Sequence, residues 1–86
     1  MSLEEKLAEL CHDQWSHWMK YKFSRCHYQT EPPWTVSIPF TSVERWRRQT
    51  DTPYSELDER EKESDREWAK KFAEAFAEWQ DELDRV

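Results

Sequence analysis

The chain reads as a mainly α fold: two long antiparallel helices plus one short helix, with an extended arm or short strand around residues 34–38. Three observations predict this. Apolar residues recur every three or four positions over Leu3–Met19 and again over Trp68–Leu83. A helix-start signal precedes each run. Glycine is absent from all 86 residues, which removes the residue that tight hairpin turns favour and sets an all-β fold aside.

Each element follows from local signals. The first helix begins at Ser2, where Ser2-x-x-Glu5 forms a capping box. Leu3, Leu7, Leu10, Cys11, Trp15, Trp18 and Met19 define its apolar face. Lys20, Lys22 and Arg25 close it near Phe23 to Arg25, where cations complement the helix dipole. Residues 26–41 lack helical periodicity. Pro32-Pro33 imposes an extended approach, and Trp34-Thr35-Val36-Ser37-Ile38 alternates with β-branched residues. Pro39 confines that strand to an edge, and it has no partner within the chain unless a second copy supplies one.

Thr41 or Ser42 caps a shorter helix from Val43 to about Gln49, with Thr41-x-x-Glu44 the better capping box. Thr50-Asp51-Thr52-Pro53 ends it. Pro53-Tyr54 then approaches the last helix in extended form. Asp58 is its N-cap, with Glu61 as reciprocal partner. Leu57, Trp68, Phe72, Ala75, Phe76, Trp79 and Leu83 form its stripe, and Glu61 and Asp65 fall on the same side.

Composition narrows the function classes. A chain this short holds one domain with a small core, to which six Trp, four Phe and three Tyr must contribute heavily. Without glycine, phosphate-cradling loops and dinucleotide fingerprints are excluded. The net charge of −6 disfavours general nucleic-acid binding. Acidity concentrates in the C-terminal half, while Arg45, Arg47 and Arg48 form a local basic cluster. No segment has the roughly 20 consecutive apolar residues that cross a bilayer, and no leader pattern opens the chain. Cys11 and Cys26 lack framework spacing, which predicts a reduced, cytoplasmic protein.

Three groups of residues are candidates for chemistry. Asp65 is expected to face inward between Glu61 and Trp68, where a buried carboxylate needs a partner. Arg45, Arg48, a tyrosine hydroxyl or an indole N–H can supply one, which makes Asp65 either a structural tie or a polar group at the lip of a ligand pocket. The second group is Trp46 with Arg45, Arg47 and Arg48, together with Trp15, Trp18, Trp34 and Tyr54. Flat rings stack on nucleobases and guanidiniums fork onto phosphates, so the set suits a nucleotide. Trp68 and Trp79 are read as core; Trp34 and Trp46 are read as either core or surface. The third group, Cys11-His12 and Cys26-His27, is adjacent rather than spaced and argues against zinc. No nucleophile motif is present, so no enzyme activity and no cofactor are expected.

Pro53-Tyr54-x-x-Leu57 leading into Glu61-Lys62-x-x-Asp65-Arg66 resembles the signature of the ryanodine-receptor-type repeat (RyR domain). His12-x-x-Trp15 is similar to a His/aromatic pair in that family's first helix. The close match covers Pro53 to about Phe76, and a weaker one covers Leu7 to Phe23. Between Ser24 and Thr52 the chain departs from the pattern: the family's Gly-Trp-x-Tyr-Gly stretch has no counterpart without glycine, and Trp34 is the nearest candidate for its tryptophan. The resemblance implies a single RyR-like domain over 1–86, of the small stand-alone type found in phage and bacteria. Paired repeats hold an adenine nucleotide between tryptophans of their two halves, and prokaryotic members are linked to nucleotide-derived signals. A single repeat is then expected to form a homodimer. Two functions follow. The first is a module that recognises or sequesters a nucleotide-like ligand through Trp15, Trp34, Trp46 and Tyr54 for stacking, Arg45, Arg48 and Arg66 for phosphate, and Asp65 for a ribose or base edge. The alternative is a phage-type interaction module that docks on or inhibits a host protein in the host cytoplasm.

Overall fold

The computed structural model describes residues 2–85 and is mainly helical. In chain order it comprises α1 (Leu3–Arg25), β1 (His27–Tyr28), β2 (Val36–Ser37), α2 (Phe40–Asp51), a single 3-10 turn at Tyr54–Glu56, and α3 (Glu59–Asp84). The described residues group into two compact units: 2–17 with 58–85, and 18–57. Among them, no helix is long and apolar enough to cross a membrane.

The first unit is the antiparallel pair of α1 and α3. Ser2 starts α1 as expected, its hydroxyl accepting the Glu5 N–H at 3.1 Å. Asp58 caps α3 by accepting the Glu61 N–H at 2.8 Å. Lys6, near the start of α1, bridges Glu82 at 2.7 Å near the end of α3. That hydrogen bond holds the Glu82 carboxyl below its usual range and the Lys6 ammonium above its own. At the other end of the pair, His17 meets the edge of Trp68 with ring centroids 5.8 Å apart.

Trp68 and Ala75 are the buried hydrophobic residues of this unit, each 8 % exposed. Leu3, Leu7, Leu10, Phe72 and Trp79 are half-buried around them. The buried stripe is narrower than the spacing alone implies. At 100° per residue, Glu61, Ser64, Phe72, Ala75 and Trp79 point within about 40° of Trp68. Asp65, Phe76 and Leu83 lie about 60–80° to one side, and all three are exposed. The inward-facing Asp65 is therefore corrected: Glu61 is the carboxylate that turns in, with its Oε2 buried. Cys11 and Trp15 are likewise exposed, and Gln14 takes the half-buried position near them.

The second unit holds a hairpin and α2. β1 and β2 pair antiparallel, His27 opposite Ser37 and Tyr28 opposite Val36. Gln29 N–H donates to the Thr35 carbonyl at 3.1 Å and extends the ladder. The strand around residues 34–38 thus has a partner within its own chain, contrary to expectation. The signal was faint because β1 is only two residues long and carries no alternation of its own. Residues 30–33 bend the chain back rather than extending it.

α2 also starts earlier than Thr41 or Ser42 would cap it. Pro39 is its N-cap, its carbonyl accepting from Ser42 and Val43 N–H at 3.0 and 3.1 Å. Ser42 lies inside the first turn and is buried. The helix ends without a left-handed residue. Thr52 is extended (φ −105°, ψ 122°), and the Thr50 and Thr52 hydroxyls donate to the last-turn carbonyls of Arg47 and Arg48. Hydroxyls here take over what a C-terminal glycine does elsewhere. The approach to α3 differs as well: between extended Pro53 and Leu57 the chain makes one 3-10 turn, Glu56 N–H to the Pro53 carbonyl at 2.9 Å.

These contacts rank the sites in energy. Trp68→Ala, which empties the main enclosed volume of the helical unit, is expected to cost about 3–5 kcal/mol. Asp58→Ala, which leaves a helix-start N–H unmet, is expected to cost about 1 kcal/mol. Phe76→Ala should fall near the smaller value or below it. Urea unfolding followed by far-UV circular dichroism measures all three, and a Trp68→Ala loss no larger than that of Phe76→Ala contradicts this core.

Candidate functional site

The most distinctive arrangement of polar and aromatic groups sits where α1 ends beside α2. Residues 18–57 carry six Lys and Arg against four Asp and Glu, whereas the rest of the chain carries seven against fifteen. The α1 end contributes Trp18, Tyr21, Lys22 and Arg25, and α2 contributes Arg45 and Trp46.

Tyr21 is the centre. Arg45 donates through Nη2 to its hydroxyl at 2.7 Å, and the Arg25 guanidinium lies 5.4 Å from its ring centroid. The edges of Trp18 and Trp46 meet the Tyr21 ring at 6.0 and 6.5 Å, with interplanar angles of 85° and 66°. Lys22 Nζ sits 5.6 Å over the Trp46 ring. A hydrogen bond from Arg25 holds the phenol below the usual tyrosine range, helped by the charges of Arg45 and Arg25, while burial opposes the shift. Among the described residues, neither Lys22, Arg25 nor Arg45 forms an ion pair with a carboxylate. In a chain with 19 acidic residues, two cations over aromatic rings and a third on a phenol hydroxyl are a chemical feature of the fold.

The arrangement can hold an anion with a planar portion. A guanidinium has five N–H donors, and one bond to a phenol leaves several for a second oxygen. Arg45 donates to the Tyr21 hydroxyl and Arg25 lies over the same ring, so two guanidiniums border one phenol and their remaining donors can reach a phosphate or carboxylate. The indole of Trp46 provides a flat wall beside them.

Of the residues the sequence singled out, Trp18, Arg45 and Trp46 belong to this cluster. Arg48 is exposed on α2, Trp34 is exposed beyond the hairpin bend, and Tyr54 is exposed at the 3-10 turn, all within the same unit. Trp15, Asp65 and Arg66 belong to the helical unit. Trp15 is exposed and stacks on His12 at 6.0 Å. Arg66 bonds Glu59 at 3.0 Å and Glu63 at 3.4 Å, and its bond holds the Glu59 carboxyl below the usual range. Tyr21, Lys22 and Arg25 were missed as site residues because a cationic helix end already has an explanation in the dipole. The readable signal was a tyrosine within that cationic turn. An open groove of about 380 Å³ runs between α1 and α3, lined by Leu10, Ala75, Lys6, Lys71, Glu74 and Glu78, and it includes none of the sequence-derived candidates. Among the described residues, no cluster of three or more His, Cys, Asp or Glu side chains is placed to hold a metal ion.

No family model matches the chain, and no curated protein or solved structure matches it significantly.

The cluster makes Tyr21 titrate in a defined direction. Its phenol should ionise below the ordinary value of about 10, with Arg25→Ala raising it most and Arg45→Ala less. Because the folded value is depressed, the stabilisation is fully present above the unfolded-state value and lost as pH falls through the folded one. Tyrosinate absorbance in a Tyr28→Phe/Tyr54→Phe background measures this. A titration that neither arginine substitution moves contradicts the arrangement.

Proposed function

We propose that the chain is a non-enzymatic binding module for a nucleotide or nucleotide-derived signal, with Tyr21, Arg25, Arg45 and Trp46 as its contact set. The observation that carries this reading is two guanidiniums at one phenol, Arg45 on its hydroxyl and Arg25 over its ring, with no carboxylate ion pair among the described residues. Phosphate oxygens are the natural third partner of such a pair, since charge-assisted bidentate bonds are about twice as strong as neutral ones. Trp46 stacks on the base. The exposed rings of Trp34 and Tyr54 lie in the same unit and are available for further stacking. The likeness of Pro53–Arg66 to the RyR signature supports the same ligand class. The two cysteines are free, which suits a reducing, cytoplasmic setting.

Calorimetry against AMP, ADP, ATP, cyclic AMP and cyclic dinucleotides tests the reading. Binding is expected to quench tryptophan emission and to weaken tenfold or more, about 1.4 kcal/mol, in Arg45→Ala. Retained helical circular dichroism in the variant separates lost binding from lost folding. No heat and no quenching by folded wild-type protein at about 1 mM ligand, where even a −4 kcal/mol complex half-forms, overturns it.

A further inference from the structure

The hairpin turns its apolar side chains outward. Tyr28 and Val36 are cross-strand neighbours and share a face, and Ile38 follows Val36 by two positions on that face. All four strand residues are exposed, so neither face of the sheet is covered. Trp34 at 72 % and Phe40 at 73 % are the most exposed large hydrophobic residues described, with Tyr28 at 60 %. The Tyr28 hydroxyl donates to the Phe23 backbone carbonyl at 3.4 Å, which ties the ribbon to the end of α1. A two-stranded ribbon is marginal by itself and gains stability when something packs on it.

Area and charge together identify what packs there. At 150–250 Å² per ring, the exposed fractions of Tyr28, Trp34 and Phe40 with Val36 and Ile38 leave roughly 500 Å² of apolar surface. That lies at the upper end of the roughly 300–600 Å² that the largest patch of an ordinary monomer covers, the size that is often functional. It is also more than half of the ~800 Å² that each partner contributes to a standard-size interface. Charge decides between partners. The chain carries −6, which makes most surfaces of two copies repel. Residues 26–40 hold a single charged side chain, Glu31. This is the stretch of surface where two copies meet with little like-charge conflict.

We propose that the hairpin face is the contact between two copies of this chain, hairpin on hairpin about a two-fold axis. An isologous contact of this kind lays Trp34 and Phe40 of each copy against the apolar face of the other and covers both ribbons at once. The contact takes up Trp34, which the ligand reading offers only for further stacking, but it does not use Arg25, Arg45 or Trp46, so Arg45→Ala tests the ligand without touching the dimer contact.

Light scattering coupled to size exclusion tests it on the full chain. Wild-type protein is expected to be a dimer at about 200 μM and to dissociate on dilution into the low micromolar range, as areas near the small end of the standard class do. Trp34→Ser/Phe40→Ser should be monomeric at the same concentration, while Phe76→Ser on α3 should leave the dimer intact. Hydrogen exchange on the unaltered chain removes dependence on the variants: amides of residues 27–38 should become more protected as concentration rises. A wild-type monomer at about 200 μM, a dimer that survives Trp34→Ser/Phe40→Ser, or concentration-dependent protection confined to α3 each overturns the proposal. A monomer that instead binds a different protein through Trp34 also overturns it and assigns the face to that partner.

Discussion

Enclosing Trp68 is the constraint on which the helical unit depends. Its indole lies between α1 and α3, met at the edge by His17 and covered by Lys71, whose Nζ stands 4.0 Å from the ring. An ammonium over an indole face contributes an electrostatic attraction and also excludes water from the ring. Once that ring and Ala75 fill the space between two helices, the pair has room for little else. Leu3, Leu7, Leu10, Phe72 and Trp79 flank it half-covered. A chain of 86 residues has a high ratio of surface to volume. Six indoles exceed what it can bury: Trp15 on the helical unit and Trp34 in residues 18–57 are exposed, and Trp18, Trp46 and Trp79 are half-buried.

Charge follows the same division. In the helical unit Lys6 meets Glu82 and Glu78, Lys62 meets Glu59, and Arg66 meets Glu59 and Glu63, while Lys71 lies over Trp68. Exposed pairs of this type contribute little each, and they mainly leave those side chains occupied. In the other unit Lys22 and Arg25 lie on rings and Arg45 bonds a phenol. A cation on an aromatic face keeps most of its N–H donors directed at solvent. Two ways of holding basic side chains, on carboxylates and on aromatic groups, therefore coexist in one short chain, the second gathered where α1 ends beside α2.

The helices were legible because their signals are local. Ser2 and Asp58 accept the N–H three residues on, as a capping residue should, and the 3.6-residue period sets both long elements. What escaped reading was non-local or angular. The partner of the 34–38 strand is a two-residue segment on the far side of a bend, with no pattern to announce it. Pro39 caps α2 through its carbonyl, so the hydroxyls of Thr41 and Ser42 were misleading. Asp65 looked inward because a residue three positions from Trp68 shares its side of the helix. An offset of about 60° is enough to expose it once the contact stripe is narrow. At the site, Arg45 and Trp46 were legible from composition alone. Tyr21 and Arg25 were not, since their importance arises from α2 passing beside the end of α1.

That crossing also sets the electrostatic balance of the site. α1 ends at Arg25, and a helix C-terminus presents roughly half a negative charge through its unpaired carbonyls. Such an end repels an incoming anion. Against it stand Lys22, Arg25 and Arg45, three full positive charges, two of them on aromatic rings and the third on the phenol. The carbonyl end is also partly answered locally: Cys26 N–H and Sγ–H donate to Phe23 and Lys22 carbonyls, and Ser24 donates to the Tyr21 carbonyl. Three whole charges outweigh a screened half charge within one turn. The Arg25 hydrogen bond, with the charges of Arg45 and Arg25, lowers the ionisation of the Tyr21 phenol against the opposing effect of burial. The same guanidiniums favour any anionic oxygen placed beside them in the same sense, since what stabilises a phenolate stabilises other oxyanions.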